Sequence, residues 1–122
     1  MQLNHLDLQV ADVPVAAAYF VAHFDFTLAS TGTSPALAIL HDATGFTLVL
    51  QRKKHINEGY PEGFHFGFVV DDVDTVRAHH ARLRAANVPE VTELIVNGRG
   101  TMFYARGPSD LVIEVSCRRR PT

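Results

Sequence analysis

The sequence predicts an α+β fold built from two tandem βαβββ modules. The residues that follow His5 recur sixty positions later around His65, since histidine, valine, aspartate and valine reappear in register in HLDLQVADV and HFGFVVDDV. Each copy opens the same series of a strand, a helix and three strands. At 122 residues the chain suits one domain in which two half-domains share a core. We predict a single domain over residues 1–122, with module 1 at about 1–52, a connection at about 52–63 and module 2 at about 64–117.

Composition and charge are those of an ordinary folded chain and exclude several classes of partner. Hydrophobic residues make up 47% of the sequence, and 11 basic against 13 acidic residues give a formal charge of −2. This balance predicts no nucleic-acid partner, and the basic run at 118–120 is typical of a solvated tail. No apolar run approaches the roughly 20 residues of a membrane span, no secretory signal opens the chain, and Cys117 is a single cysteine. We therefore expect a cytoplasmic protein without a membrane partner.

The first module is predicted from alternation and helical spacing. Residues 5–10, HLDLQV, alternate between polar and apolar side chains, which indicates a strand with one apolar face. Pro14 and the alanine-rich stretch after it predict a helix at about 14–24 that covers this apolar face. Three short strands follow, at about 26–29, 36–41 and 46–51.

The second module repeats this order. Residues 63–74, GFHFGFVVDDVD, predict a strand that runs into a helix at about 74–86, with His65 on the face opposite the helix. The apolar side chains of this strand are expected to build the core against the helix; they are Phe64, Phe66, Phe68 and Val70. Turns rich in glycine, proline and asparagine then separate three strands, predicted at about 91–96, 101–106 and 111–117.

Three side chains with metal-binding atoms share one property. His5, His65 and Glu114 each lie on the side of their strand that faces away from the predicted helix. Glu114 stands in the apolar run LVIEV, where a carboxylate has to be paired, bound to a metal or placed at the rim. Two imidazoles and one carboxylate suit Fe(II), Mn(II) or Zn(II) and leave positions open for a substrate. Spacing alone leaves open the alternative of two ordinary strand histidines and a rim carboxylate.

Three stretches carry a family resemblance over essentially the whole chain: NHLDLQVADVPVAAAYF, FHFGFVVDDVDTV and FYARGPSDLVIEV. In them the chain resembles the vicinal oxygen chelate superfamily, which includes glyoxalase I, bleomycin-resistance proteins, fosfomycin-resistance enzymes and type I extradiol dioxygenases. The resemblance implies a cup-shaped mixed sheet with helices on its outer face, built around one divalent metal ion such as Fe, Mn, Zn or Ni. It also implies that His5, His65 and Glu114 are the metal ligands and that two chains form a homodimer.

Two departures from the family pattern bear on the reaction. Glyoxalase I takes a fourth ligand, a glutamate, from the last strand of the first module, where this chain has Val49; Gln51 on the same face is the candidate substitute. Tyr104, ten residues before Glu114, resembles a tyrosine of the extradiol dioxygenases, but their upstream histidine is absent at residues 95–97. Tyr104 and Gln51 are therefore the predicted catalytic residues, acting in proton handling or orientation.

Two functions follow from these residues. The first is a metal-dependent lyase, isomerase or dioxygenase acting on a small substrate with vicinal oxygens, in which the ion stabilises an enolate or a related oxyanion. The alternative is a metal-free protein that binds an antibiotic-like small molecule, as the bleomycin-resistance proteins do. That alternative needs apolar walls but no set of metal ligands, so the presence of His5, His65 and Glu114 favours the enzyme.

Overall fold

The computed structural model describes residues 1–119, which fall into two compact units. The first unit is Met1–Gly59 and the second begins at Tyr60. Each unit holds a four-stranded mixed sheet and one α-helix in the predicted order, so the α+β class and the tandem βαβββ plan are confirmed. Arg120, the last residue of the predicted basic tail, lies outside the described residues. In the described part of the chain, no helix is long and apolar enough to cross a membrane.

The first unit begins with its edge strand. Its elements are β1 (His5–Val10), α1 (Val13–Phe24), β2 (Thr27–Leu28), β3 (Leu37–His41) and β4 (Thr47–Arg52). The strands lie in the order β1-β4-β3-β2, with β1 parallel to β4 and the other pairs antiparallel. The strand predicted at 26–29 is therefore present but shorter than expected.

The second unit has the same plan. Its elements are β5 (His65–Val69), α2 (Val73–Ala85), β6 (Ile95–Asn97), β7 (Gly100–Arg106) and β8 (Val112–Arg118). The strands lie in the order β5-β8-β7-β6, and β5 is parallel to β8. A single 3₁₀ turn between β7 and β8 contains the GPSD sequence.

Both helices begin in the same way, because an aspartate caps each one. The Oδ1 atom of Asp12 accepts a hydrogen bond from the backbone N–H of Val15 at 3.1 Å. Asp72 accepts from the backbone N–H of Thr75 at 2.7 Å and also from the Thr75 hydroxyl at 2.8 Å. These bonds satisfy backbone donors that the first turn of a helix leaves without a partner. The caps place each helix start directly after its first strand, as the duplicated sequence predicts.

The helices contact mainly the later strands of each unit, although Leu8 and Val10 on the apolar face of β1 are buried as predicted. Helix α1 lies on β2, β3 and β4, and α2 lies on β7 and β8. The largest fully buried side chains are Phe20, Leu8, Leu40, Leu48 and Leu50 in the first unit, and Phe103, Leu83, Met102, Leu111 and Ile113 in the second.

The predicted core role of the aromatic side chains on β5 is only partly correct. Phe66 and Phe68 are half-buried, whereas Phe64 is exposed and stacks on Tyr60 with ring centroids 4.7 Å apart. Strand β5 is the edge of its sheet, and α2 contacts mainly the neighbouring strands β7 and β8, so the aromatic side chains are less buried than predicted. Val70, the fourth residue of the set, is half-buried.

Strand β6 is shorter than the predicted 91–96 because Thr92 interrupts the ladder. The backbone N–H of Thr92 donates to the Tyr104 carbonyl at 2.9 Å, but the Tyr104 N–H donates to the Thr92 hydroxyl at 3.0 Å. The freed Thr92 carbonyl lies 2.7 Å from the Nε2 atom of His80, which is buried on α2. A side-chain hydroxyl thus replaces a backbone acceptor, and regular pairing starts only at Ile95.

Candidate metal centre

Two of the predicted metal ligands, His65 and Glu114, lie on one face of the second sheet together with Tyr104. The register sets Gly67 of β5 and Tyr104 of β7 on either side of Glu114 on β8. His65 is two residues before Gly67 and therefore shares its face. The His65 and Tyr104 rings meet edge to face with centroids 6.0 Å apart. His65, Tyr104 and Glu114 thus form one cluster, which we call the Glu114 site.

Glu114 is a buried carboxylate with three donors. Its relative exposure is 6%, so the alternative of a rim carboxylate is wrong. The Tyr104 hydroxyl donates to Oε1 at 2.7 Å, while the Ser116 hydroxyl and the Arg118 guanidinium each lie 3.3 Å from Oε2. Arg118 supplies the positive charge that a buried anion needs. Arg118, which was predicted to belong to a solvated tail, therefore contacts the site.

The hydrogen bond to Glu114 also favours the protonated form of Tyr104. This bond is the largest cause that raises the pKa of the Tyr104 phenol, followed by burial and by the negative charge of Glu114, while the nearby Arg99 guanidinium opposes the shift. A phenol with a raised pKa stays protonated at neutral pH and acts as a donor. The short bond favours an orienting role for Tyr104 toward Glu114, and the part of Tyr104 in the reaction stays a prediction.

Gly67 permits the close approach of β5 to Glu114. A Cβ atom at position 67 would lie 2.9 Å from the Cβ of Glu114 and closer still to its carbonyl oxygen. No side chain fits there without moving one of the two strands. The glycine consequently keeps the space beside Glu114 free of a side chain from β5.

The orientation of His65 suits a metal ligand. Its Nδ1 atom lies 2.9 Å from the carbonyl oxygen of Gly63, and a carbonyl can only accept. Nδ1 therefore carries the proton, and Nε2 keeps the lone pair that a metal needs. Because His65 is exposed and Glu114 offers two oriented oxygens, the donor chemistry of this face fits a divalent cation.

The corresponding face of the first sheet carries a different polar group. Gln51 donates its side-chain N–H to Oδ2 of Asp7 at 2.6 Å, and the Gln9 amide lies 3.4 Å from Oδ1. Asp7 is exposed and pairs in register with Val49, the residue at the position equivalent to Glu114. Gln51 is thus held by an aspartate, and its role as the substitute for the missing fourth ligand stays a prediction.

The structure brings together two of the three predicted ligands. Within residues 1–119, no three His, Cys, Asp or Glu side chains form a group that could hold a metal ion. His65 and Glu114 lie in the second unit, and His5 is an exposed residue at the start of β1 in the first. The convergence of His5 with the other two stays a prediction.

Sequence reasoning missed three residues of these faces. Asp7, Gly67 and Arg118 share strand parity with His5, His65 and Glu114 respectively, which is the signal that could have found them. The alternation of side chains along a strand did not distinguish these three residues from solvated ones. Asp7 and Gly67 make their contacts with a neighbouring strand, and Arg118 makes its contact with a residue four positions earlier on the same strand.

The chain is similar to proteins of known structure over nearly its whole length. A possible glyoxalase from Bacillus cereus is 30% identical, with 96% of this chain and 99% of that one covered and a TM-score of 0.78. A lactoylglutathione lyase from Agrobacterium tumefaciens is 19% identical, with 95% and 92% covered and a TM-score of 0.76. A variant of the fosfomycin-resistance protein FosX from Listeria monocytogenes, complexed with Mn(II) and 1S,2S-dihydroxypropylphosphonic acid, is 18% identical, with 97% and 92% covered and a TM-score of 0.75.

A family model gives the same classification from sequence. It matches residues 2–115, a range that contains His5, His65 and Glu114. No curated protein sequence matches the chain. From the family match and the 30% identity to the Bacillus cereus protein, the chain belongs to the Glyoxalase/Bleomycin resistance protein/Dioxygenase superfamily.

Proposed function

We propose that the protein is a metal-dependent enzyme of the glyoxalase or dioxygenase type, in which His5, His65 and Glu114 bind one divalent ion. The observation that carries this proposal is the buried Glu114 carboxylate, which Tyr104 orients at 2.7 Å beside His65. Burying an anion is costly, and a well-packed apolar residue would serve stability equally well or better. A functional role for the carboxylate explains why it is there.

Superfamily membership and the FosX relative support a divalent ion as the cofactor. That relative is complexed with Mn(II) at 18% identity. Imidazole and carboxylate donors also accept Fe, Zn and Ni, so the proposal covers these ions. When bound, the ion would supply Lewis-acid stabilisation of the negative charge that develops on a substrate oxygen.

The residues of this chain have separate tasks in the proposal. The Gly63 carbonyl fixes the tautomer of His65, and Tyr104 holds one oxygen of Glu114 as a protonated donor. Gln51, held by Asp7 at 2.6 Å, has an orienting role toward substrate. We assign neither Tyr104 nor Gln51 the part of a general base.

The substrate in this proposal is a small molecule with two neighbouring oxygens. A cavity of about 240 Å³ lies beside Tyr104, lined by Glu90, Thr92, Tyr104, Ala105, Arg106 and Val112. Neither His65 nor Glu114 lines this cavity, and drug-sized ligands occupy pockets of roughly 300–1,000 Å³, so it suits only a part of a substrate that reaches beyond the metal ligands. Arg106 is already paired with Glu90 and lies near Asp110, so it adds little net positive charge there.

Calorimetric titration of metal-stripped protein tests the proposed centre. We expect the wild-type chain to bind Mn²⁺ or Zn²⁺ and His65→Ala to bind it about a hundredfold more weakly or worse. His55→Ala is the matched control, because His55 is a loop histidine with a side chain 78% exposed, and its affinity should stay within about twofold of wild type.

An absence of metal binding by the wild-type chain would contradict the proposal. If the metal-free chain instead bound an aromatic, antibiotic-like molecule tightly, the alternative of a sequestering protein would replace the enzyme.

The proposal includes a homodimer, which light scattering on a size-exclusion column measures directly. A mass equal to the 13.5 kDa of one chain would contradict that part.

A further inference from the structure

Arg118 is the cation that accompanies Glu114. Glu114, Ser116 and Arg118 alternate on one face of β8, so the arginine side chain lies along the strand toward the carboxylate. Its Nη2 atom is 3.3 Å from Oε2 of Glu114. The two partners differ in environment, since the Glu114 side chain is 8% exposed and the Arg118 side chain is 47% exposed.

This ion pair is suited to exchange. The guanidinium approaches one carboxylate oxygen through a single nitrogen, and 3.3 Å exceeds the roughly 2.7–2.9 Å of a strong charge-assisted bond. The Arg118 side chain is also about half exposed, and solvent screening weakens the attraction of such a pair. By contrast, the Tyr104 bond at 2.7 Å engages the other oxygen, Oε1. Oε2, which also accepts from the Ser116 hydroxyl at 3.3 Å, is therefore the oxygen with the charged partner that is more easily replaced.

We infer that Arg118 is a resident counter-ion of Glu114 and that a divalent ion must displace its guanidinium from Oε2. The inference rests on the proposed metal centre and adds that Arg118 and the metal ion compete for the carboxylate of Glu114. Two cations within a few ångströms of one carboxylate oxygen repel each other, and a carboxylate that already has a positive partner gains less from a second. Arg118 thus lowers the affinity of the site for metal.

Paired arginine variants test the competition. We expect Arg118→Gln to bind Mn²⁺ about fivefold more tightly than wild type in calorimetric titration, because loss of an exposed ion pair of this kind is worth about that factor. Arg119→Gln is the matched control, since it removes the same charge from the next residue, which is exposed and bonds Arg99 through its backbone N–H. Its affinity should stay within about twofold of wild type. Thermal unfolding of each metal-free variant verifies that it is folded.

The possible outcomes distinguish a failure of the inferred competition from a failure of the proposed metal centre. Wild-type affinity in Arg118→Gln, or weaker binding, would overturn the competition while leaving the metal centre intact. Equal tightening in Arg118→Gln and Arg119→Gln would also overturn it, because net charge would then explain the gain. If none of the three proteins bound Mn²⁺, both the centre and the inference would fail. Should Arg118→Gln not fold, Arg118→Met replaces it; its uncharged side chain also removes the competing cation, so the same tightening of about fivefold is expected and wild-type affinity would again overturn the inference.

Discussion

The first and second modules share a backbone plan but differ in the strand that carries the acidic side chain of the site face: Asp7 lies on β1, the first strand of its module, and Glu114 on β8, the last. In the second module Gly67 on β5 faces Glu114 on β8; in the first module Asp7 on β1 faces Val49 on β4. Each pair therefore contains one acid and one residue without a charge. The two pairs are related by exchange of the acid between neighbouring strands.

The strand that carries the acid decides its environment. Strand β1 is the edge of its sheet, and Asp7 is exposed there with an amide partner at 2.6 Å. Strand β8 lies between β5 and β7, so Glu114 is buried and needs a phenol and a guanidinium. An acid on an inner strand can be held in one orientation from both sides. This difference explains why the carboxylate of Glu114 is buried whereas that of Asp7 is exposed.

The largest expected effect comes from removing the charge of the inner-strand acid. Glu114→Gln should weaken Mn²⁺ binding about a hundredfold, because an amide oxygen replaces a carboxylate of the same shape. Asp7→Asn is the matched change in the first module and should alter affinity less than about threefold. Titration calorimetry on both variants compares them. A larger loss in Asp7→Asn would move the centre to the first module.

A side chain at position 67, opposite Glu114, should lower the stability of the fold. We expect Gly67→Ala to lower the free energy of unfolding by about 1–3 kcal/mol, because the new Cβ overlaps the backbone of Glu114 and the strands must separate. Gly98→Ala is the control, since a Cβ at Gly98 meets nothing within 4 Å and should change stability by less than about 0.5 kcal/mol. Urea denaturation measures both. Equal midpoints would show that β5 and β8 separate without cost.

Loss of the stronger donor to Glu114 should weaken metal binding more than loss of the weaker one. Tyr104→Phe removes the bond at 2.7 Å and should reduce Mn²⁺ affinity about tenfold. Ser116→Ala removes a bond at 3.3 Å and should reduce it about twofold. The reverse ranking in a titration would mean that Tyr104 does not orient the carboxylate.

The smallest expected effect concerns the second helix cap. Hydrogen bonds from the Thr75 backbone N–H, and then from its hydroxyl, lower the pKa of Asp72 in the folded state. The stability that this provides is present above the unfolded pKa of about 3.9 and is lost as the pH falls through the lower folded pKa. Asp72→Asn should therefore flatten the acid limb of stability against pH. Urea midpoints between pH 2 and 5 that run parallel to wild type would contradict the shift.

Local patterns predicted most of the fold because their causes are local. Alternation placed the strands, and the aspartates at 12 and 72 marked the helix starts through bonds to residues three positions away. The shortening of β6 was beyond such patterns, since it depends on a bond between Thr92 and Tyr104. The exposure of Phe64 likewise depends on where α2 lies over the sheet.

For the candidate site, the sequence by itself determined the chemical groups: two histidines at duplicated positions and a lone carboxylate facing away from the helices. It determined their faces too, because strand parity follows from spacing alone. Only the tertiary structure decided that Glu114 is buried, that Tyr104 and Arg118 hold its two oxygens, and that Gly67 leaves room beside it. Burial depends on which strands flank a residue, and β5 reaches β8 from a distant part of the chain, whereas β7 directly precedes β8.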